Sequence, residues 1–194
     1  MKNIIINTFS RKNTKSRKAQ RTFGLNRWET TNSLKSDWDG RTKIMSKYIV
    51  DNTKVIEFGA GRLVLSNLIP KNCVYTPSDI VDRGKGTIVL DLNKSPLLMF
   101  DHYDYAVFSG VLEYVNNVPL LIKHLSEYID SFILSYATVG KYNTRNKKRN
   151  GWVNNYSEKE IIQILEQNNY VLTKKTAWRR QSIFVFKKYK VNKT

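Results

Sequence analysis

The 194-residue chain is long enough for one domain with a full core, and its hydrophobic content of 41% excludes disorder throughout. Its 33 Lys and Arg residues against 16 Asp and Glu residues give a net charge of +17, which favours a polyanionic partner but equally fits a highly soluble protein with charged faces. A single cysteine excludes an internal disulfide and a metal site built from a cysteine cluster.

The charge lies mainly at the two ends of the chain. Residues 1–36 hold nine basic residues and one acid, and residues 167–194 hold eight basic residues and no acid. Residues 1–36 are polar and aperiodic, which predicts a basic N-terminal arm or a lid that orders over a ligand. No run approaches about 20 apolar residues and the first ten residues lack a signal-peptide core, so we expect a cytoplasmic protein.

Apolar periodicity and turn residues predict alternating helices and strands. In chain order, the predicted elements are a helix capped by Ser36 or Asp37 and ending near residue 51, a strand at 54–57, a glycine turn at 58–61, a short helix at 62–68, strands at 73–80, 87–93 and 103–110, a helix at 118–129, a strand at 131–137, a helix at 157–167 that opens with a capping box, and a hairpin-like pair at 170–177 and 182–186. The connection at 81–86 is too short for a helical crossover, so one peripheral helix is expected to be missing.

The glycine turn is the strongest local indication of a ligand site. Gly59 can take backbone angles closed to residues with a Cβ, and Gly61 leaves room for a ligand beside main-chain amides. A dinucleotide fingerprint needs a third glycine, which is absent here because Arg62 and Leu63 follow Gly61. A structural turn without a ligand uses the same residues, so the turn alone does not decide between the two.

Acidic and small residues end neighbouring strands of the predicted sheet. Glu57, Asp79 and Asp91 fall at or near the ends of the first three strands, and Ser109 with Gly110 ends the fourth. Ligands of open α/β sheets bind beyond the carboxyl ends of the strands, so these residues are expected to converge on one crevice. Helix capping or a surface turn is the alternative interpretation for Asp79 and Asp91.

The order and spacing of four motifs resemble the class I S-adenosylmethionine-dependent methyltransferases. The motifs are Glu57-Phe58-Gly59-Ala60-Gly61, the acid at Asp79, Asp91-Leu92-Asn93, and the run from Phe108 to Val115. The resemblance covers about residues 38–188. It implies a Rossmann-like α/β fold with a seven-stranded, mostly parallel sheet, an antiparallel last strand and a reduced helix between strands two and three, and it assigns residues 37–190 to the catalytic domain.

Within this family the chain looks most similar to small methyltransferases that accompany glycosyltransferases in bacterial surface-polysaccharide gene sets. This narrower resemblance rests on the sequence Ser-Gly-Val-Leu-Glu-Tyr-Val from Ser109 and on residues 151–157.

The resemblance implies S-adenosylmethionine as cofactor and assigns residues to its parts. Asp79 would accept both ribose hydroxyls, Asp91 would accept from the adenine amino group, and Leu92 would offer main chain and an apolar surface. Ser109 and Gly110 would border the methionine part and its sulfur. The implied cofactor-binding set is Glu57, Gly59, Ala60, Gly61, Asp79, Ile80, Asp91, Leu92, Asn93, Ser109 and Gly110.

A hydroxyl acceptor would need a base, and candidates are few. Glu113 follows the fourth strand close to the expected methyl position, and His102 precedes the same strand. The alternative for Glu113 is to cap or anchor a helix, and for His102 a role in surface packing. No metal site is expected, because the two histidines neither pair nor lie near a cysteine cluster.

The leading prediction is O-methylation of a glycan or a phosphate-bearing glycan intermediate. The basic loop at 141–149 suits an anionic acceptor, and aromatic residues near the expected mouth suit a sugar or a base. The candidate acceptor-binding residues are Trp38, Tyr114, Tyr136, Tyr142, Arg145, Trp152 and Tyr156. An RNA methyltransferase is one alternative, because the net charge also fits nucleic acid, and a non-enzymatic binding protein on the same scaffold is another. Peripheral contact with an anionic membrane and the oligomeric state stay open.

Overall fold

The structure, a computed structural model, describes Trp28 and residues 34–84, 86–140 and 150–189. A seven-stranded sheet runs in the order β3-β2-β1-β4-β5-β7-β6. The strands are β1 Lys54–Phe58, β2 Val74–Asp79, β3 Ile88–Val89, β4 Tyr103–Ser109, β5 Ile129–Tyr136, β6 Tyr170–Trp178 and β7 Gln181–Lys188, and the helices are α1 Asp39–Ser46, α2 Val118–Leu125 and α3 Glu158–Glu166. The pairs β1–β2, β1–β4, β2–β3 and β4–β5 are parallel, and the last strand, β7, is antiparallel to both of its neighbours. This confirms the predicted mostly parallel sheet with an antiparallel last strand.

β1 lies in the parallel part of the sheet, where both faces of a strand are covered. Its residues from Val55 to Phe58 are all buried, as the near-continuous apolar run predicts. It pairs in parallel with β2 on one side and with β4 on the other. The glycine turn that follows β1 is therefore flanked by the ends of two further strands.

Two apolar layers cover opposite faces of the sheet. Ile56 belongs to the layer beneath α2 and α3, which contains the stacked rings of Phe58 and Phe108. Val55 belongs to the other layer, which includes Met45 of α1. Because neighbouring residues of a strand point to opposite faces, α1 lies on the face opposite α2 and α3.

Several helix and strand boundaries differ from the sequence predictions. The segment after the glycine turn forms a three-residue 3-10 helix, Leu65–Asn67, instead of an α-helix, and Leu63 has a left-handed φ of 58°, which a right-handed helix does not accommodate. The predicted side-chain cap of the first helix is wrong. A 3-10 helix, Ser36–Trp38, precedes α1, and neither element has a side-chain cap bond.

β3 is shorter than predicted because Asp91 turns the chain. The Asp91 carboxylate accepts from the Asn93 amide at 2.9 Å, and its carbonyl accepts from the Lys94 amide at 3.0 Å. In the connection from β2 to β3 the described residues form turns and no helix, as the short spacing predicts. The predicted capping box of α3 is confirmed, with Ser157 and Glu160 bonded reciprocally.

Most of the predicted basic arm, residues 1–36, lies outside the described residues. The compact unit to which the sheet belongs begins at Lys35. None of the helices in the described ranges has the length and apolarity of a membrane-spanning segment.

Candidate functional site

The turn after β1 is fastened to the end of β2. Phe58 pairs with Ser78 of β2 and with Phe108 of β4, so the residues that follow these positions share one edge of the sheet. The amides of Gly59 and Ala60 donate to the Ser78 carbonyl at 2.7 and 3.0 Å. The predicted convergence at the carboxyl ends of the strands is therefore present, although these two amides are already used within the protein.

Two glycines at this edge are required by their surroundings. Gly59 has a φ of 73°, and a Cβ added there would lie 2.4 Å from Cγ2 of Val111. Gly110, after β4, has a φ of 69°, and an added Cβ would lie 2.3 Å from Nη1 of Arg41. Both positions exclude a side chain by backbone conformation and by contact distance. The two glycines therefore make room for Val111 and Arg41, which pack directly against the turns after β1 and β4.

Arg41 of α1 is a residue of this edge that the sequence predictions did not include. Its guanidinium is buried and donates from Nε to the Ser109 hydroxyl at 2.9 Å and from Nη2 to the Ser109 carbonyl at 2.7 Å. Nη1 donates to Oε1 of Gln181 at 2.8 Å, and the Thr42 hydroxyl lies 3.1 Å from the Ser109 hydroxyl. A buried guanidinium at the end of β4 suits an anionic ligand group.

A sequence signal for Arg41 does exist in α1. Arg41 precedes Met45 by four residues, which places both on the buried face of the helix. A charged residue on an apolar helical stripe is rarely buried without partners, so its position is informative about a site.

Asp79 is surrounded by donors from the protein itself. Its Oδ2 accepts from the Gly61 amide at 2.8 Å and lies 3.2 Å from Nε of Arg83. Its Oδ1 receives longer contacts of 3.4 Å from the Val81 amide and from Nη2 of Arg83. A carboxylate offers about four acceptor positions, so Arg83 occupies the capacity that a ribose diol would use. Ile80, predicted beside the cofactor, follows directly and is partly buried.

Glu57 lies beneath the glycine turn, almost fully buried on the face of the sheet that α1 covers. The Tyr75 hydroxyl donates to its Oε2. Burial raises the pKa of Glu57 from 4.5 to about 8, while the hydrogen bond from Tyr75 acts in the opposite direction. The carboxyl group is therefore protonated over much of the neutral range.

The segment after β3 is tied to the segment after β4 by Asn93. The Asn93 side chain donates to the Tyr114 carbonyl at 2.9 Å and accepts from the Asn116 amide at 2.6 Å. Asp91 and Leu92 are partly buried, and the Asp91 carboxylate accepts from the Asn93 amide. Asn93 therefore acts as a brace in this structure, which leaves Asp91 and Leu92 as the better candidates for an adenine contact.

Glu113 joins the end of β4 to the end of β5. It is 1% exposed, and its Oε1 accepts from the Ala137 amide at 2.8 Å. Oε2 has no hydrogen-bond partner among the described residues. Burial raises the pKa of Glu113, and the nearby charge of Arg41 opposes that shift. Glu113 thus combines an anchoring contact with one buried oxygen that is available for a proton.

Residues 152–156 form a wall over the 3-10 helix that contains Glu113. The Asn154 amide donates to the carbonyls of Leu112 and Val115 at 2.6 and 2.7 Å, and its oxygen accepts from the Tyr136 hydroxyl. The Trp152 indole nitrogen donates to the Tyr114 hydroxyl at 3.2 Å, and Tyr156 lies near Tyr136. Trp152, Tyr114 and Tyr156 are partly exposed.

The structure does not bring every candidate to this site. Tyr136 is fully buried in the core, which corrects its assignment to the mouth. His102 lies at the amino end of β4, at the opposite edge of the sheet, where it is 60% exposed and pairs with Asp130 at 3.2 Å. Trp38 is half-buried at the start of α1. Tyr142 and Arg145 lie outside the described residues, and within the described ranges no group of three His, Cys, Asp or Glu residues suits a metal ion.

Comparison with known proteins identifies the family. A family profile described as a methyltransferase domain matches residues 31–175. The chain belongs to this methyltransferase family. Among curated proteins, none matches the sequence significantly. The seven-stranded sheet is accordingly a methyltransferase sheet.

Solved structures share the fold of this methyltransferase at low sequence identity. Burkholderia thailandensis 1,6-didemethyltoxoflavin-N1-methyltransferase, bound to 1,6-didemethyltoxoflavin and S-adenosylhomocysteine, is 11% identical, with a TM-score of 0.67 over 96% of this chain and 94% of that chain. N-methyltransferase NodS from Bradyrhizobium japonicum WM9, in complex with S-adenosylhomocysteine, is 12% identical, with a TM-score of 0.61 over 79% and 87% of the two chains. The mitomycin 7-O-methyltransferase MmcR is 12% identical, with a TM-score of 0.61 over 91% and 59%. The descriptions of these three proteins do not mention polysaccharides. The resemblance to methyltransferases of surface-polysaccharide gene sets therefore stays a prediction.

Proposed function

We propose that this methyltransferase transfers a methyl group from S-adenosylmethionine to an oxygen of a glycan or phosphate-bearing glycan intermediate. The observation that carries the cofactor assignment is the position of the glycine turns after β1 and β4 at one edge of the sheet. There Gly59 and Gly110 exclude side chains, and Arg41 and Asp79 border the same edge. Two fold neighbours were crystallised with S-adenosylhomocysteine, which supports the same choice.

The residues at this edge fit the chemical groups of the cofactor. A ribose diol needs a carboxylate acceptor, which Asp79 supplies once Arg83 yields its contacts. The methionine half carries a carboxylate, which suits the buried guanidinium of Arg41. At Gly59 and Gly110 the absence of a side chain lets Val111 and Arg41 pack against the main chain of the two turns, which brings the Arg41 guanidinium to the end of β4. Asp91 and Leu92 are the candidates for the adenine.

When bound, the cofactor supplies an electrophilic methyl group on a sulfonium, and its transfer forms a carbon–oxygen bond while the carbon–sulfur bond breaks. The protein's contribution is to align the acceptor, exclude water and receive the hydroxyl proton. Glu113 is the candidate base, because Oε2 is buried without a partner among the described residues and burial raises its pKa. The amide of Ala137 holds the other carboxylate oxygen in place.

The acceptor assignment rests on charge and on the aromatic wall. Trp152 and Tyr114 present partly exposed rings next to the end of β4, which suits stacking on a sugar or another ring. The net charge of +17 favours an anionic acceptor such as a phosphoglycan. The same charge fits RNA, and the names of the fold neighbours indicate small-molecule acceptors, so both belong in the acceptor screen.

The test is calorimetric titration of the full chain with S-adenosylmethionine and S-adenosylhomocysteine, followed by methyl-transfer assays on phosphoglycans, RNA and small heterocycles. Micromolar binding of both cofactor forms and methylation of a phosphoglycan oxygen are the expected results. Methylation of RNA or of a small heterocycle alone would overturn the glycan assignment. If neither cofactor form binds, the protein is a binding protein on a methyltransferase scaffold.

A further inference from the structure

The turn between β6 and β7 reaches the site through Gln181. Gln181 is 7% exposed at the first position of β7, and its Oε1 accepts from Nη1 of Arg41 at 2.8 Å. Two further hydrogen bonds from the guanidinium go to the Ser109 hydroxyl and carbonyl. Arg41 is therefore held between the end of β4 and the β6–β7 turn. Its partners Ser109 and Gln181 follow it in the chain by 68 and 140 residues.

The same turn packs closely on the start of α1. The Trp178 ring lies 5.7 Å from the Arg41 guanidinium carbon and 4.5 Å from that of Arg179. A Cβ added to Gly40 would lie 3.0 Å from the Trp178 indole nitrogen, so the helix and the ring are in close contact. Arg179 also pairs with Asp37 at 2.8 Å. These contacts fix the turn relative to α1 and bring the Gln181 oxygen to Arg41.

The acceptors on Arg41 are chemically suited to an anion-binding guanidinium. The hydroxyl, the peptide carbonyl and the Gln181 amide oxygen that accept these three bonds are neutral, so these bonds orient the guanidinium without adding a negative charge to it. The buried carboxyl groups of Glu57 and Glu113 also interact with the charge of Arg41. An arginine side chain has about 2 kcal/mol of rotamer entropy, and a side chain already fixed before binding does not lose that freedom when the ligand arrives. A carboxylate at position 181 would orient Arg41 equally well but would compete with an anionic ligand.

We propose that Gln181 is a positioning residue that holds Arg41 for the carboxylate of the cofactor's methionine half. This inference rests on the proposed function, because it takes S-adenosylmethionine as the ligand. It extends the site to a residue of the C-terminal hairpin, far from the glycine turn in sequence. Gln181 acts through Arg41 and does not itself need to touch the ligand.

The experiment compares two ligands that differ in the methionine half. S-adenosylhomocysteine carries the carboxylate, whereas 5′-methylthioadenosine lacks the whole amino-acid part. Calorimetric dissociation constants are measured for the wild type, Gln181→Ala, Arg41→Met and the double variant. Arg180→Ala is the matched control, because Arg180 is an exposed side chain of the same turn. Gln181→Met, which keeps the side-chain volume, replaces Gln181→Ala if thermal unfolding shows that the latter does not fold.

We expect Gln181→Ala to raise the dissociation constant of S-adenosylhomocysteine about tenfold, which corresponds to about 1.4 kcal/mol. The dissociation constant of 5′-methylthioadenosine should change less than twofold. The double variant should bind S-adenosylhomocysteine no more weakly than Arg41→Met alone, because both substitutions remove the same contact. The inference would be overturned if Gln181→Ala weakened the binding of both ligands equally or of neither, or if the losses of affinity added up in the double variant. Each of these outcomes would leave the proposed function intact. Failure of the wild type to bind either ligand would refute the proposed function and this inference with it.

Discussion

The ion pair between Asp79 and Arg83 leads to a prediction about cofactor affinity. Both side chains are buried, at 7% and 4% exposure, and Nε of Arg83 lies 3.2 Å from Oδ2 of Asp79. If the Asp79 carboxylate binds the ribose diol, Arg83 has to give up at least one of its contacts. Replacing Arg83 with Met removes this competitor while it keeps most of the side-chain volume. We therefore expect Arg83→Met to bind S-adenosylhomocysteine more tightly than the wild type.

The size of the effect follows from the contacts that the ribose must replace. A hydrogen bond to a charged group contributes about 1.5–3 kcal/mol, and about 1.4 kcal/mol corresponds to a tenfold change in affinity. Toward Asp79, Arg83 makes one long hydrogen bond, at 3.4 Å, and one ion-pair contact of 3.2 Å that lacks hydrogen-bond geometry, so the lower end of this range applies and the gain should be about tenfold. The free protein should lose stability, because among the described residues Asp79 then keeps the amides of Gly61 and Val81 as partners and loses the guanidinium that balances its charge.

Two measurements together test this reasoning. Calorimetry gives the dissociation constant of S-adenosylhomocysteine, and thermal unfolding with and without the ligand gives the ligand-induced rise in Tm. Arg83→Met should have a lower Tm without ligand and a larger ligand-induced rise than the wild type. Lys175→Met is the control, since it removes an exposed ion pair with Glu158 that does not involve Asp79 or Arg83. Equal or weaker binding by Arg83→Met would show that Arg83 supports the site rather than competing for it.

Three further predictions concern Glu57, Gly110 and Glu113. The raised pKa of Glu57 means that the folded protein keeps a proton that the unfolded chain releases, so the free energy of unfolding should fall by up to about 1.4 kcal/mol per pH unit as pH rises from 4.5 to about 8. Urea unfolding of Glu57→Gln over this range should lack that slope, and parallel curves for the two proteins would contradict the assignment. Gly110→Ala should lower Tm more than Gly84→Ala, because both glycines have a positive φ but an added Cβ would collide with Arg41 at Gly110 and with nothing at Gly84. Equal losses of Tm would mean that backbone strain alone determines the effect. Glu113→Gln should reduce methyl transfer at least about 100-fold with S-adenosylhomocysteine affinity unchanged, and full activity would exclude Glu113 as the base.

Local sequence patterns determined most of the elements. The alternation of strands and helices, the glycine turn and the capping box at Ser157 follow from backbone preferences over a few residues, and the structure confirms them. The errors fall where a local pattern was overruled. Apolar spacing after the glycine turn predicts a helix, but Leu63 adopts a left-handed φ, and only a 3-10 turn forms. β3 was predicted too long because the turn made by Asp91 follows the apolar run directly.

The site divides along the same line. The sequence by itself determined that Gly59, Asp79 and Gly110 meet at one edge, since the carboxyl ends of parallel strands lie together in any such sheet. Only the tertiary structure decided that Arg41 bonds to Ser109 and Gln181, and that Arg83 forms an ion pair with the Asp79 carboxylate. Contacts such as those of Arg41 join residues far apart in the chain and depend on strand order and helix packing. Short-range periodicity carries no information about either, so the positioning of these charges emerges only when the sheet is assembled.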